Sequence, residues 1–222
     1  MPNVVYLHGL ASSPNSGKAR AFEAGLRDAG VEMHCPDLNE PDFAALTVSR
    51  MIEQVEHLVA GLPPGPVALV GSSLGGLVAW HLGARQAGAP ARAIERLVLL
   101  APALDFGRRW NPPSEDKELA RWRETGWLDL FHHGYGEPRR VAFALYEDAG
   151  RYDSFAVQRN VPTLVYQGTR DEVVNPRMVE AFAKGRWDVT LRLVDDGHQL
   201  LDHIDEIWKG SAAFLGVARA CP

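Results

Sequence analysis

Val67-Ala68-Leu69-Val70-Gly71-Ser72-Ser73-Leu74-Gly75-Gly76 is the stretch that decides the fold of this chain. Its four leading apolar residues read as a short strand buried on both faces, since a strand with one wet face alternates apolar and polar positions. Glycines two positions before and after Ser73 leave room for a strained turn to pack closely against neighbouring backbone. Leu74 to Gln86 then reads as a helix. A strand, a glycine-bounded turn and a helix in direct succession form the repeating unit of a parallel sheet with crossover helices. The turn also matches G-x-S-x-G in the setting that pattern requires. The hydroxyl of Ser73 would stand at a helix N-terminus, where developing negative charge is favoured. A glycine-rich turn with an incidental serine is the bland alternative, and the rest of the chain weighs against it.

Outward from this unit, β-branched apolar runs alternate with amphipathic stretches. Strands are expected at Asn3–Leu7, Val31–Pro36, Val67–Gly71, Arg96–Ala101, Pro162–Gln167 and Val189–Val194. Helices are expected at Ser16–Ala29, Phe43–Ala60, Leu74–Gln86, Arg177–Lys184 and Leu200–Phe214, two of them ending at Gly30 and Gly61. The expected fold is α/β: a doubly wound, mostly parallel six-stranded sheet with helices on both faces. At 222 residues the chain fits a single domain.

Residues 104–155 break the alternation. This stretch shows no convincing strand, two helical patterns (Ser114–Glu124 and Pro138–Glu147) and ten of the chain's aromatic residues. It reads as a helical cap-like insertion, either packing a small core of its own or covering a substrate pocket. In the second case Trp110, Trp122, Trp127 and Phe131 are the expected lining residues.

A serine hydroxyl is a poor nucleophile near neutral pH and needs a base, itself oriented by an acid. Asp171 follows the fifth expected strand in Gly168-Thr169-Arg170-Asp171, and His198 follows the sixth in Asp195-Asp196-Gly197-His198. Both lie where Ser73 lies, just beyond the carboxyl ends of strands, the edge at which doubly wound sheets place their sites. The first strand ends in His8-Gly9-Leu10. There the N–H of Leu10 could join that of Leu74 in facing the oxygen of a tetrahedral intermediate. His8 reads as structural, because His198 holds the better strand-end position.

Tyr6-Leu7-His8-Gly9-Leu10, the following Ser12-Ser13-Pro14-Asn15-Ser16-Gly17-Lys18-Ala19 and the Gly71–Gly76 turn resemble the small bacterial YqiA/YcfP-like esterases of the α/β-hydrolase superfamily. The resemblance implies a serine esterase or thioesterase with Ser73 as nucleophile, Asp171 as acid and His198 as base. Asp195 and Asp196 beside the base leave the acid open, and some members of the superfamily use a carboxylate at the position of Asp105. Substrate preference does not carry over, because residues 104–155 are where such proteins differ most.

Composition closes other doors. Twenty-three basic against 28 acidic side chains leave a net charge of −5, which gives no general attraction to a phosphate backbone. Nucleic acid is therefore not expected as a partner, nor is a membrane, and a small ester or thioester is. Two cysteines, Cys35 and Cys221, form no metal or redox spacing and suit a reducing compartment. With no signal-like start, the expected location is the cytoplasm. A phosphate loop at Gly9–Ala19 fails, with Ser12 in place of glycine and Ala19 in place of Ser or Thr. A dinucleotide turn at Gly71–Gly76 fails at Ser73, and no histidine spacing suits zinc. No cofactor or metal is expected. Acyl transfer, C–C bond hydrolysis and a binding protein without turnover remain as alternatives on the same fold.

Overall fold

The computed structural model describes residues 1–85, 92–104, 106–108, 116–158 and 161–217. The chain runs β1 (Asn3–Leu7), α1 (Gly17–Asp28), β2 (Met33–His34), α2 (Val48–Gly61), β3 (Val67–Ser72), α3 (Leu74–Arg85) and β4 (Ile94–Leu100). It continues with α4 (Asp116–Thr125), β5 (Trp127–His132), β6 (Glu137–Ala142), α5 (Ala144–Ala149), β7 (Thr163–Gly168), α6 (Pro176–Ala183), β8 (Val189–Val194) and α7 (Ile204–Leu215). Six strands form one parallel sheet in the order β2-β1-β3-β4-β7-β8. Strand order reverses between β1 and β3, which opens a crevice at their carboxyl ends.

The period-two arrangement of strand side chains builds two cores. Val5, Leu7, Leu69, Leu97, Leu99 and Val165 face α2, α3 and α6. Val4, Tyr6, Val70, Val98, Leu100 and Tyr166 face α1 and α7. Helix α3 is buried nearly throughout, which explains its apolar sequence.

Four expectations change. The second strand pairs only over Met33–His34, since it lies at the sheet edge and Pro36 has no N–H to extend the ladder. The expected helix Phe43–Ala60 is two pieces, because the Thr47 side chain caps a fresh start by accepting from the N–H of Arg50. The last helix begins at Ile204 rather than Leu200, whose φ of +55° lies outside the helical region.

The insertion is not wholly helical. After α4 it makes an antiparallel hairpin, β5–β6, where a helix over Pro138–Glu147 was expected. The turn Gly134-Tyr135-Gly136, with Gly136 at φ +73°, closes the hairpin. Arg139 and Arg140 lie over the Tyr135 and Trp127 rings and so brace the hairpin. Trp122, Val141, Phe143 and Leu145 join the same buried cluster as α2 and α3.

Candidate active site

Ser73 sits between β3 and α3 with φ +53°, a left-handed conformation that costs energy in a residue with a Cβ. The neighbouring glycines make the turn possible. A Cβ on Gly71 would lie 2.4 Å from the Gly75 carbonyl oxygen, and one on Gly75 would lie 2.2 Å from that of Leu7. The backbone is pinned by hydrogen bonds from Ser73 N–H to Leu100 and from the N–H groups of Gly76 and Ala103 to the Ser73 carbonyl. Ser72, by contrast, is buried within β3 opposite Leu100. Among the described residues Ala11, Ala101 and Leu200 are the other non-glycine residues at positive φ, and each lies beyond the carboxyl end of a strand on this same edge of the sheet.

His198 and Asp171 meet across the loops that follow β8 and β7. Nδ1 of His198 is 2.9 Å from Oδ2 of Asp171. A carboxylate can only accept, so Nδ1 carries the hydrogen and Nε2 keeps its lone pair. The Asp171 side chain is sealed from solvent while the His198 side chain keeps 15% of its surface. Its carboxylate accepts four hydrogen bonds: from Gln167 Nε2 and His198 at Oδ2, and from the N–H groups of Val173 and Val174 at Oδ1. Burial alone would raise its pKa, but the hydrogen bonds from His198, Val174 and Gln167 and the nearby imidazole bring it below the usual carboxylate value.

The other acids are occupied elsewhere. Asp195 accepts from Arg170 Nε at 2.8 Å. Asp196 accepts from the N–H groups of Gly197, Asp202 and His203. Asp105 lies outside the described residues. His8 is buried and tied to Gly9, Asp37 and Leu38, away from the imidazole of His198.

Leu10, Ser73, Leu74, Asp171 and His198 line one cavity of about 550 Å³. Among the described residues no acceptor takes the amide hydrogen of Leu10 or Leu74. Two free N–H groups beside a serine are the arrangement that stabilises an oxyanion. The walls are chiefly apolar, with Leu104, Phe106, Leu130, Val174 and Met178.

Of the four aromatics expected in the pocket, Phe131 lines it. Trp122 instead is buried against Phe143 and Tyr146, its Nε1 donating to the Val141 carbonyl, and Trp127 lies on the surface of β5 under Arg140. Trp122 lies on α4 rather than on the hairpin, and Trp127 and Phe131 share one face of β5 but sit at its opposite ends, so only the Phe131 end reaches the cavity. Trp110 lies outside the described residues. Sequence reasoning passed over Leu130, His133 and Met178, and also Gln167, whose signal was a polar residue inside an otherwise apolar strand. Among the described residues no cluster of His, Cys, Asp and Glu could hold a metal, and no helix is long and apolar enough to cross a membrane.

Residues 3–214 match the model of UPF0227, described as an uncharacterised protein family. No curated protein matches the chain significantly. Among solved structures, a candidate hydrolase from Agrobacterium vitis S4 is 26% identical with a TM-score of 0.82, over 96% of this chain and 87% of that one. Alpha/beta hydrolase domain-containing protein 10 from mouse is 21% identical with a TM-score of 0.79, over 97% and 90%. Est1E from Butyrivibrio proteoclasticus, solved with ferulic acid bound, is 20% identical with a TM-score of 0.76, over 97% and 88%. Likeness at such identities carries the fold, which is that of the α/β-hydrolases.

Proposed function

Because the chain belongs to the uncharacterised protein family UPF0227 and has the α/β-hydrolase fold, we propose that it is a serine hydrolase cleaving carboxylic esters or thioesters. The observation that carries this reading is a convergence. Ser73 on its strained turn, the His198–Asp171 pair and the unengaged N–H groups of Leu10 and Leu74 all border one cavity.

On this reading Ser73 Oγ attacks the substrate carbonyl carbon while Nε2 of His198 takes the hydroxyl proton. Negative charge gathers on the carbonyl oxygen, facing the amides of Leu10 and Leu74. Asp171 holds the imidazole in the tautomer with Nδ1–H and stabilises it once charged. The bond to the alcohol or thiol then breaks, the leaving group takes the proton from His198, and an acyl group remains on Ser73. Water, deprotonated by the same imidazole, releases the acid and restores the serine. The insertion, residues 104–155, acts as a cap that contributes the Leu130–Phe131 wall. The substrate is a small molecule whose acyl part suits an apolar cavity.

A screen over p-nitrophenyl esters and acyl thioesters of graded length tests the proposal, with covalent labelling by a fluorophosphonate. Turnover and labelling that both vanish in Ser73→Ala support it. A labelled or active Ser73→Ala protein overturns it.

A further inference from the structure

The stretch Ser12–Ala19 has no part in the chemistry above, yet it carries an ionisable group in an unfavourable place. Lys18 lies in the first turn of α1 and is only 6% exposed. Lysine is among the residues least often buried, and a cation in a first turn opposes the helix dipole. Burial pushes the Lys18 amine down to about 8, against the pull of Asp171 and Asp196. A local choice that conflicts with both its burial and its helix position marks a residue kept for what it does.

Its partner indicates the purpose. Nζ of Lys18 donates to the backbone carbonyl of His198 at 3.2 Å. Among the described residues no other group bonds that carbonyl. The contact continues in packing, since a Cβ on Gly17 would lie 3.3 Å from the side chain of Leu201. The start of α1 therefore runs against the loop that carries His198. Asp196 ties that loop further along, through the amides of Asp202 and His203.

We propose that Lys18 is a positioning residue, whose ammonium ties the main chain of His198 to α1 and so fixes where the imidazole stands relative to Ser73. This rests on His198 acting as the base. The titratable groups whose charge acts on the ammonium are Asp171 after β7 and Asp196 after β8, while its contact with His198 is to the main chain. Loss of the ammonium charge turns a charge-assisted hydrogen bond into an ordinary one of roughly half its strength. The tie therefore loosens in mildly alkaline solution.

The experiment follows kcat and KM for one p-nitrophenyl ester from pH 6 to 10 in wild type, Lys18→Met and Lys18→Gln, with thermal unfolding alongside. In Lys18→Met, kcat falls about 10- to 100-fold, the range expected from a small displacement of a catalytic group. KM stays within about twofold, since the apolar walls that hold the acyl part are untouched. Wild type loses activity above about pH 8 while Lys18→Met shows no such decline, and its thermal midpoint is not lowered. Lys18→Gln, which keeps a shorter donor, retains more activity than Lys18→Met. Wild-type kcat and pH profile in both variants overturn the proposal, as does failure of both to fold, which would make Lys18 a structural residue. An active Ser73→Ala protein sinks the hydrolase reading instead and is seen separately.

Discussion

His133, in the turn of the insertion hairpin, donates its backbone N–H to the carbonyl of Ala11 at 2.8 Å. The hairpin therefore rests on the residue that follows Leu10, which itself holds φ +54°. Gly134 closes the same junction, because a Cβ there would lie 2.7 Å from the Cβ of Ser13. An insertion that looks peripheral along the chain thus rests on the loop that carries Leu10.

Gly134→Ala should push the hairpin off this loop and displace the Leu10 amide. Expected is a loss of about tenfold in kcat with a smaller change in KM. Adding Ser13→Gly removes the nearest atom and should restore part of the loss, which steady-state kinetics on the double variant would read.

Ser73→Ala should reduce turnover by about 10⁴-fold or more while the protein stays folded. Ser72→Ala should remain active, because that side chain is buried in β3. Initial rates and circular dichroism on both variants decide the matter, and the reverse pattern would move the nucleophile to Ser72.

Asp171→Asn should lower kcat by about 10⁴-fold, since an amide cannot hold the imidazole in the working tautomer. It should also alter acid unfolding. The folded pKa of Asp171 is depressed, so its contribution is present above the unfolded value of about 3.9 and is lost as pH falls through the lower folded value. Thermal midpoints between about pH 2 and 6 should therefore fall less steeply in Asp171→Asn than in wild type.

Phe131→Ala and Leu130→Ala should shift preference among acyl chain lengths, because both residues line the cavity. Trp122→Ala should instead destabilise the fold by about 3–5 kcal/mol through the hole it leaves. Its ratio of long-chain to short-chain activity should not change. Activity ratios and chemical unfolding on the three variants distinguish the two roles.

Lys18→Met should stabilise the protein at pH 7. The folded amine titrates near 8 rather than 10.5, so the fold disfavours the protonated form and wild-type stability rises with pH between those values. Removing the group relieves that penalty at neutral pH, offset in part by the lost hydrogen bond to the His198 carbonyl. Urea unfolding at pH 7 would read it, and a large loss of stability would contradict the burial argument.

The parts of this protein that depend on neighbouring residues are legible along the chain. The strands β1, β3, β4, β7 and β8 are legible as apolar runs because a parallel sheet buries both faces of its central strands. The turn around Ser73 is legible because the glycines it needs are adjacent in the chain. Asp171 and His198 are legible as residues just past strand ends, since chain order maps directly onto the carboxyl edge of the sheet. Tertiary structure alone decided everything that depends on which distant segments meet. It turned Glu137–Ala142 into a strand, because pairing with Trp127–His132 and the stacking of Arg139 and Arg140 outweigh a helical pattern. It sent Trp122 into the core and Phe131 to the cavity, a choice made by which face of the insertion packs on the domain. It also set Lys18 beneath His198, 180 residues away in the chain. Local propensity acts over a few neighbours, whereas burial and hydrogen bonding are settled by contacts that exist only once the sheet has assembled.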